Sequence, residues 1–195
     1  MNDVTAQASN GFSVIAIENE ISNVQMTDVT AEASGSSDQA AAIAIRNRGG
    51  APVINRVTAT ATGPANSAAV DNDGDAAVTI DGLVGLAEGT TPAVVPYATG
   101  VETSDDATVT IHGSSITAIS AGAGQSWAIS NNSSGLVTVD NSELIAGRTV
   151  LGSPGATTRI GSSLMSGGPV GGGPGTTCAG VHDETYTFFA GPACP

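Results

Sequence analysis

Short apolar segments recur along this chain at a nearly constant interval, and each alternates apolar with small polar residues. In one family, an aliphatic residue opens the segment, and successive members begin about 27 residues apart on average. Its members are VTAQA at 4–8, VTAEA at 29–33, VTATA at 57–61, LVGLA at 83–87, ITAIS at 116–120, LIAGR at 144–148 and LMSGG at 164–168. Repetition at an interval of this size is typical of solenoid proteins.

Two further families of segments lie between the members of the first. One comprises AIEN at 16–19, AIRN at 44–47, AVDN at 69–72, GVET at 100–103 and AISN at 128–131. The other comprises VQM at 24–26, PVI at 52–54, VTI at 78–80, VTI at 109–111, VTV at 137–139 and TRI at 158–160. Val, Ile and Thr alternating at a period of two predict strands, and the Gly, Ser, Asn and Asp residues between them predict turns.

Three short strands per repeat predict an all-β fold, a right-handed parallel β-helix with three sheets and about six to seven turns. Each strand would pair in parallel with its counterpart one repeat later, and aliphatic residues would form columns inside the coil. One predicted column is Val4, Val29, Val57, Leu83, Ile116, Leu144 and Leu164, and another is Ile17, Ile45, Val70, Val101, Ile129 and Val150. An all-β sandwich is the alternative.

Asparagine recurs at one position of the second family, at Asn19, Asn47, Asn72 and Asn131, with Thr103 replacing it once. Stacked Asn side chains can hydrogen-bond one another and the backbone at a bend. This ladder, with the three-strand repeats of residues 1–168, resembles the ladders of the pectate-lyase-like β-helix superfamily. The resemblance implies the architecture of a non-catalytic bacterial surface or secreted β-helix, and it implies no particular reaction.

The two ends of the chain differ from the middle. The opening MNDVTAQAS nearly repeats MTDVTAEAS at 26–34, so we expect an uncapped first turn. This chain would then be a truncated piece of a longer protein, or its N-terminal face would dock on a preceding β-helix domain or a second copy. We expect residues 1–168 to form the β-helix and residues 169–195 to form a Gly-rich linker and a C-terminal cap. Its aromatic residues Tyr186, Phe188 and Phe189 would cover the open end.

Cys178 and Cys194 are the only cysteines, and we predict a disulfide between them. In the chain-entropy model such a link contributes about 3 kcal/mol to stability. A disulfide indicates an oxidising compartment, so we expect an extracellular or cell-surface protein of a bacterium. Two free or metal-binding thiols are the alternative.

The charge of the chain excludes some partners. It contains 18 acidic residues, 5 Arg and no Lys, which gives a net charge of −13. Without a basic patch, the protein is not expected to bind nucleic acid or an anionic membrane. The sequence also has no apolar run long enough for a membrane-spanning helix, so we expect no membrane insertion.

Few residues suggest chemistry. The alternating Asp71, Asp73 and Asp75 begin a calcium-loop pattern, but Ala76 and Gly82 stand where an EF-hand needs Gly and Glu. A partial calcium site at a turn is the remaining hypothesis, and a solvated Asx-rich turn is the alternative.

Catalytic and ligand-binding candidates are weaker still. Polygalacturonase-like β-helix enzymes combine an Asp pair with a His-Gly element, which Asp105, Asp106 and His112 resemble. A chain without Lys lacks the accompanying Arg-x-Lys element, so we expect an exposed turn histidine. Trp127 can stack on a sugar, but we expect it to pack at the edge of its turn. A metal site at His182, Asp183 and Glu184 with the two Cys matches no known zinc spacing.

We therefore expect a structural or interaction module of an extracellular bacterial β-helix protein or fibre, not an enzyme, with no cofactor. Expected partners are a preceding β-helix domain or a second copy at the N-terminal face, and a glycan. The alternatives are a polysaccharide-active lyase or hydrolase and a glycan-binding or ice-binding module. Ice binding requires regular Thr columns on a flat face, and here Thr5, Thr30 and Thr58 form only part of one.

Overall fold

A computed structural model describes residues 1–36, 40–90, 97–122, 124–172 and 175–195. Within those residues the chain forms β-strands and no helix, so none of its elements is a helix long and apolar enough to cross a membrane. The strands form three sheets, and the chain visits them in strict rotation. This arrangement is a parallel β-solenoid, and it confirms the predicted all-β, three-sheet fold.

The strand bounds follow the three segment families. The first sheet contains β1 (Thr5–Ser9), β4 (Thr30–Ser34), β7 (Thr58–Gly63), β10 (Val84–Gly89), β13 (Ser115–Ser120), β16 (Glu143–Ala146), β19 (Leu164–Gly167), β22 (Val181–Asp183) and β23 (Phe188–Phe189). The second contains β2 (Ser13–Glu20), β5 (Ala41–Arg48), β8 (Asn66–Asp73), β11 (Tyr97–Thr103), β14 (Gln125–Asn131), β17 (Arg148–Gly152) and β20 (Gly171–Gly172). The third contains β3 (Gln25–Thr27), β6 (Val53–Asn55), β9 (Ala77–Asp81), β12 (Thr108–His112), β15 (Leu136–Asp140), β18 (Thr157–Gly161) and β21 (Thr176–Ala179).

Neighbouring strands pair in parallel with their counterparts one turn away, except that β22 and β23 pair antiparallel. In the second sheet the column Ile17, Ile45, Val70, Val101, Ile129 and Val150 is in register, as predicted. In the third sheet Met26, Ile54, Ile80, Ile111, Val139 and Ile160 form a similar column. These side chains are buried and form much of the core.

The predicted column of the first sheet is wrong after Leu83. Val84 pairs with Ser115, so the counterpart of Leu83 is Ser114 and not Ile116. The bulky residue moves two positions along the strand, where Ile116, Leu144 and Met165 follow Ala6, Ala31, Ala59 and Gly85 in one column. Each turn therefore places one large side chain in this part of the core. In β13, β16 and β19 this side chain stands two residues later in the strand than it does in the earlier turns.

Buried serines occupy the corner that the aliphatic residues leave. Ser114, Ser142 and Ser163 stand just before β13, β16 and β19, and each is at least 95% buried. The backbone N–H of Leu83 donates to Ser114 Oγ at 3.1 Å, that of Ser114 to Ser142 Oγ at 3.2 Å, and that of Ser142 to Ser163 Oγ at 3.1 Å. Each hydroxyl donates in turn to the carbonyl two residues earlier. This serine ladder satisfies buried backbone groups at the bend between the third and first sheets.

The asparagine positions of the second sheet also stack in register, in the order Asn19, Asn47, Asn72, Thr103 and Asn131. Asn47 and Asn72 are fully buried, and Asn47 Nδ2 donates to Asn72 Oδ1 at 2.9 Å. Asn72 Nδ2 donates onward to the Glu102 carbonyl at 3.3 Å. Asn131 bonds instead to Thr158 of the third sheet. The amides therefore join adjacent turns in the middle of the coil.

The C-terminal residues add strands to the solenoid. The strands β20, β21 and β22 pair in parallel with β17, β18 and β19. The predicted disulfide between Cys178 and Cys194 is confirmed. Phe189 packs on the core, but Tyr186 and Phe188 are exposed, so these two aromatics do not plug the coil. A boundary at 168 and a C-terminal cap stay predictions, and residues 173–174 of the predicted linker lie outside the described residues.

Candidate functional site

The outer face of the second sheet is concave because its strands interrupt the usual alternation of side chains. In β5 both Ala44 and Ile45 point into the core, and in β14 Ala128 and Ile129 do the same. A regular strand sends successive side chains to opposite faces. Two consecutive inward residues therefore bend the strand, and the outward side chains before and after them face one another across a groove.

This groove encloses a cavity of about 460 Å³ with two chemically different sides. One side is formed by residues that precede the inward pair along each strand. We call it the aromatic wall, and it comprises Ala41, Ile43, Ala68, Tyr97, Thr99 and Trp127. The side formed after the pair is called the acidic wall, and it comprises Arg46, Asp71, Glu102, Ser130 and Leu151. The groove crosses strands β5, β8, β11, β14 and β17, so it extends over about 19 Å at the usual strand spacing.

Two aromatic rings stack at the aromatic wall. The ring centroids of Tyr97 and Trp127 are 5.6 Å apart, and the ring planes differ by 8°. Trp127 is 7% exposed, whereas Tyr97 is 43% exposed and presents its ring to solvent. Trp127 Nε1 has no hydrogen-bond partner in the described part of the chain. The structure thus places Trp127 on the outer face beneath Tyr97, and not at the edge of its turn as we expected.

Two carboxyl groups lie side by side on the acidic wall. Asp71 of β8 and Glu102 of β11 are paired residues of neighbouring strands. Burial raises the pKa of Asp71, although Arg46 Nε donates to its Oδ2 at 2.8 Å. Burial also raises the pKa of Glu102, and the nearby charge of Asp71 raises it further. Within the described residues the Glu102 carboxyl has neither a hydrogen bond nor an ion pair, so no direct partner neutralises its charge.

The three aspartates of the calcium hypothesis are in different surroundings. Asp71 pairs with Arg46 inside the groove, and Asp73 shares a hydrogen bond with Asp105, which raises the pKa of Asp105. Asp75 is exposed on the turn that follows. Among the residues described, no three His, Cys, Asp or Glu side chains are placed together as metal ligands.

The structure separates the other candidates. His112 ends β12, where its Nδ1 lies 3.3 Å from Asp81 Oδ1, whereas Asp105 and Asp106 precede the opposite end of that strand. The histidine and the aspartate pair therefore do not share a site. His182 packs against Phe188, with ring centroids 5.2 Å apart.

A metal site with two cysteine thiolates is wrong, because Cys178 and Cys194 are joined in the disulfide. On the outer face of the first sheet, the column that begins with Thr5, Thr30 and Thr58 continues with Val84, Ser115 and Glu143. That column is not a regular array of Thr, so it does not match the flat Thr face expected of an ice-binding protein.

No protein-family model, no curated protein and no solved structure matches this chain. The resemblance to the pectate-lyase-like superfamily therefore concerns the coiled architecture alone. Chemically, the groove combines an aromatic ring for stacking with oxygen acceptors for hydroxyl or ammonium donors. This combination is found where proteins bind polar ligands that also have apolar faces.

Sequence reasoning missed the groove, although one signal was visible. The second family repeats a small residue directly followed by a β-branched one, as in Ala44-Ile45 and Ala69-Val70. Two adjacent apolar residues in an otherwise alternating strand indicate a bend.

Proposed function

We propose that this chain is an extracellular β-solenoid module that binds a glycan along the groove of its second sheet. The observation that carries the proposal is the Tyr97–Trp127 stack facing the carboxyl groups across one concave surface. A sugar ring has an apolar C–H face that packs on an aromatic ring, and its hydroxyl groups donate hydrogen bonds to carboxylates. The Cys178–Cys194 disulfide supports an oxidising compartment.

The rigidity of the scaffold favours binding. Strands position side chains more accurately than loops do, and the groove side chains belong to strands paired on both sides. A ligand therefore meets a largely preformed surface, which reduces the entropy lost on binding.

The sole tryptophan of the chain makes this proposal directly testable, because fluorescence excited selectively at tryptophan reports on Trp127 alone. We expect titration with a panel of neutral oligosaccharides to change that fluorescence saturably for at least one member. Tyr97→Ala is expected to weaken that binding about tenfold or more, since it removes the exposed stacking surface. Tyr186→Ala, which removes an exposed Tyr far along the chain, is the control and should bind as the wild type does. A Tyr97→Ala variant with unchanged affinity, measured by calorimetry, would refute the proposal.

A hydrolytic function is a second candidate, favoured by the adjacent carboxyl groups of Asp71 and Glu102 with raised pKa values. Paired carboxyl groups in a cleft are the usual apparatus for glycoside hydrolysis. Prolonged incubation with bound oligosaccharides should then release reducing ends, and Asp71→Asn and Glu102→Gln should each abolish the release. Binding without any turnover supports the non-enzymatic module.

Association through the first turn is a separate part of the proposal. Phe12 and Ile21 are 73% and 84% exposed in this turn, beside the outer edges of β1, β2 and β3. Exposed apolar side chains beside strand edges that no other described strand pairs with favour contact with a second copy. Sedimentation velocity should show concentration-dependent dimers or longer assemblies that Phe12→Lys with Ile21→Lys abolishes. A monomer at all concentrations would contradict this part and leave glycan binding intact.

A further inference from the structure

The charge inside the groove distinguishes among glycans. Arg46 is the groove's cation, and it is already paired with Asp71 at 2.8 Å. Glu102 and Asp73 add negative charge to the same cavity. Arg48 lies outside the lining and contacts Glu18 and Glu20 as well as Asp73. The groove therefore presents a net negative surface to any ligand.

The position of Glu102 strengthens the interaction of its charge with a ligand in the groove. It lies on β11, the strand that also carries Tyr97, and the two side chains stand on opposite walls of one cavity. Glu102 is partly buried, with Asp71 of β8 beside it and Ser130 of β14 paired with it on the other side. An ion in such a partly desolvated place interacts more strongly than on an open surface.

Resting on the proposed glycan binding, we infer that the groove selects glycans with free amino groups over neutral ones, and rejects glycans of uronic acids. A protonated amine donates charge-assisted hydrogen bonds to the Glu102 carboxylate. An amine on the Tyr97 side of the groove is attracted to the exposed aromatic ring as well. A uronate carboxylate meets like charge from Glu102, Asp71 and Asp73, in a protein whose net charge is −13.

The experiment compares three oligosaccharides of equal length: an N-acetylglucosamine oligomer, the corresponding deacetylated glucosamine oligomer, and a galacturonate oligomer. Trp127 fluorescence and calorimetry measure Kd at about 0.15 M salt, where long-range attraction is screened. We expect the amine oligomer to bind about tenfold or more tightly than the acetylated one, and the uronate oligomer to bind weakest.

Two matched variants test whether Glu102 causes the preference for amines. Glu102→Gln should bring the Kd values of the amine and acetylated oligomers within about threefold of each other, because it removes the negative charge that favours the amine. Glu88→Gln, which removes a partly buried glutamate from the outer face of the first sheet, should keep the full preference. Thermal melts of both variants confirm that they are folded.

The outcomes separate the two proposals. Equal binding of amine and acetylated oligomers, or tightest binding of the uronate, overturns the amine selectivity but not glycan binding. A preference that survives Glu102→Gln also overturns it. Failure of all three oligomers and of the neutral panel refutes the proposed function itself. Amine binding that Tyr97→Ala does not weaken shows surface attraction to an acidic protein and overturns both proposals.

Discussion

Individual buried polar residues hold adjacent turns together. Asn47 has no exposed surface, and its side chain reaches the next turn through the Asn72 amide. Such a bond contributes modestly in itself, but a buried partner left without a hydrogen bond is costly. Replacing a buried ladder asparagine with alanine should therefore lower the stability of the protein more than the same replacement of an exposed asparagine.

We predict that Asn47→Ala lowers the free energy of unfolding by about 1–3 kcal/mol, because Asn72 Oδ1 loses its donor in the interior. The exposed Asn66, on the same strand as Asn72, provides the control, and Asn66→Ala should change stability by less than about 0.5 kcal/mol. Chemical denaturation measures both. Equal stability of the two variants would show that the ladder amides add little to folding.

Glu102 illustrates a conflict between stability and binding. Its raised pKa means that the folded protein holds this proton more tightly than the unfolded chain does. Stability therefore falls as pH rises from the ordinary glutamate value of 4.5 through the raised folded value, and the loss persists at neutral pH. The charged groups that face this carboxyl are Asp71, Asp73 and Arg46.

Glu102→Gln is therefore expected to raise Tm at pH 7 by about 1–3 °C. The gain should shrink as the pH falls below the ordinary glutamate value, where the wild-type carboxyl is protonated as well. Glu88→Gln on the outer face of the first sheet is the control, and it should leave Tm at pH 7 close to that of the wild type. Calorimetric melts at several pH values test this, and a destabilised Glu102→Gln at pH 7 would contradict it.

At the scale of elements, the bend in each second-sheet strand decides the shape of the groove. Ala occupies the first inward position in β5, β8 and β14, whereas β11 has Gly100. A Cβ on Gly100 would lie 2.2 Å from Ile116 Cγ2 and 2.6 Å from the Ala128 carbonyl oxygen. Gly is required in this strand because an added Cβ would overlap both the Ile116 side chain and the Ala128 backbone.

Gly100→Ala should therefore destabilise the protein by about 1–3 kcal/mol through overpacking, and should weaken ligand binding by displacing β11. Gly85→Ala is the matched control, because Gly85 is also a buried strand residue and its added Cβ would make ordinary contacts from 3.4 Å. It should be neutral or stabilising by a few tenths of a kcal/mol. If denaturation shows both variants to be equally stable, the packing argument at β11 is incorrect.

Most elements could be predicted from the sequence, because a column such as Ile17, Ile45 and Val70 repeats both the residue type and the spacing. The register of β13 could not. Ile116 resembles Leu83 in kind, and a sequence gives no sign that a buried serine has taken the corner. The groove was missed for a related reason. Its lining residues Arg46, Asp71 and Glu102 occupy equivalent outward positions in successive turns, but charged outward residues are also what an ordinary solvated face presents.

At the scale of the whole molecule, stability is distributed along one axis. Each strand of a solenoid contacts mainly the turn before it and the turn after it, so local losses need not spread. The disulfide ties Cys194 to Cys178 of β21, where the Cys178 N–H also donates to the Pro192 carbonyl at 3.0 Å. It therefore secures the last turn more than the rest of the coil.

Reduction of the disulfide should accelerate hydrogen exchange in residues 176–195 and leave the amides of β5, β8 and β11 protected. The chain-entropy model allows a loss of about 3 kcal/mol from this closure. Exchange mass spectrometry with and without reductant measures the effect, and the non-reduced protein is the control. Uniform loss of protection along the chain would show that the closure supports every turn.

From β13 onward the large core residue of the first sheet stands two positions later in its strand, and Ser114 takes the place that Leu83 has in the turn before. This shift limits how such a protein can be rebuilt or can evolve. The turns up to Leu83 form an early block, and the turns from Ser114 onward form a later block. Copying or deleting a turn within one block preserves the stacking of like residues. Moving an early turn into the later block would put its Ala where Ile116 or Leu144 belongs, leaving a void. It would also deprive the corner amide of the preceding turn of the serine hydroxyl that accepts its hydrogen bond. The coil therefore consists of two sets of non-interchangeable modules, and recombination between them should yield poorly folded chains.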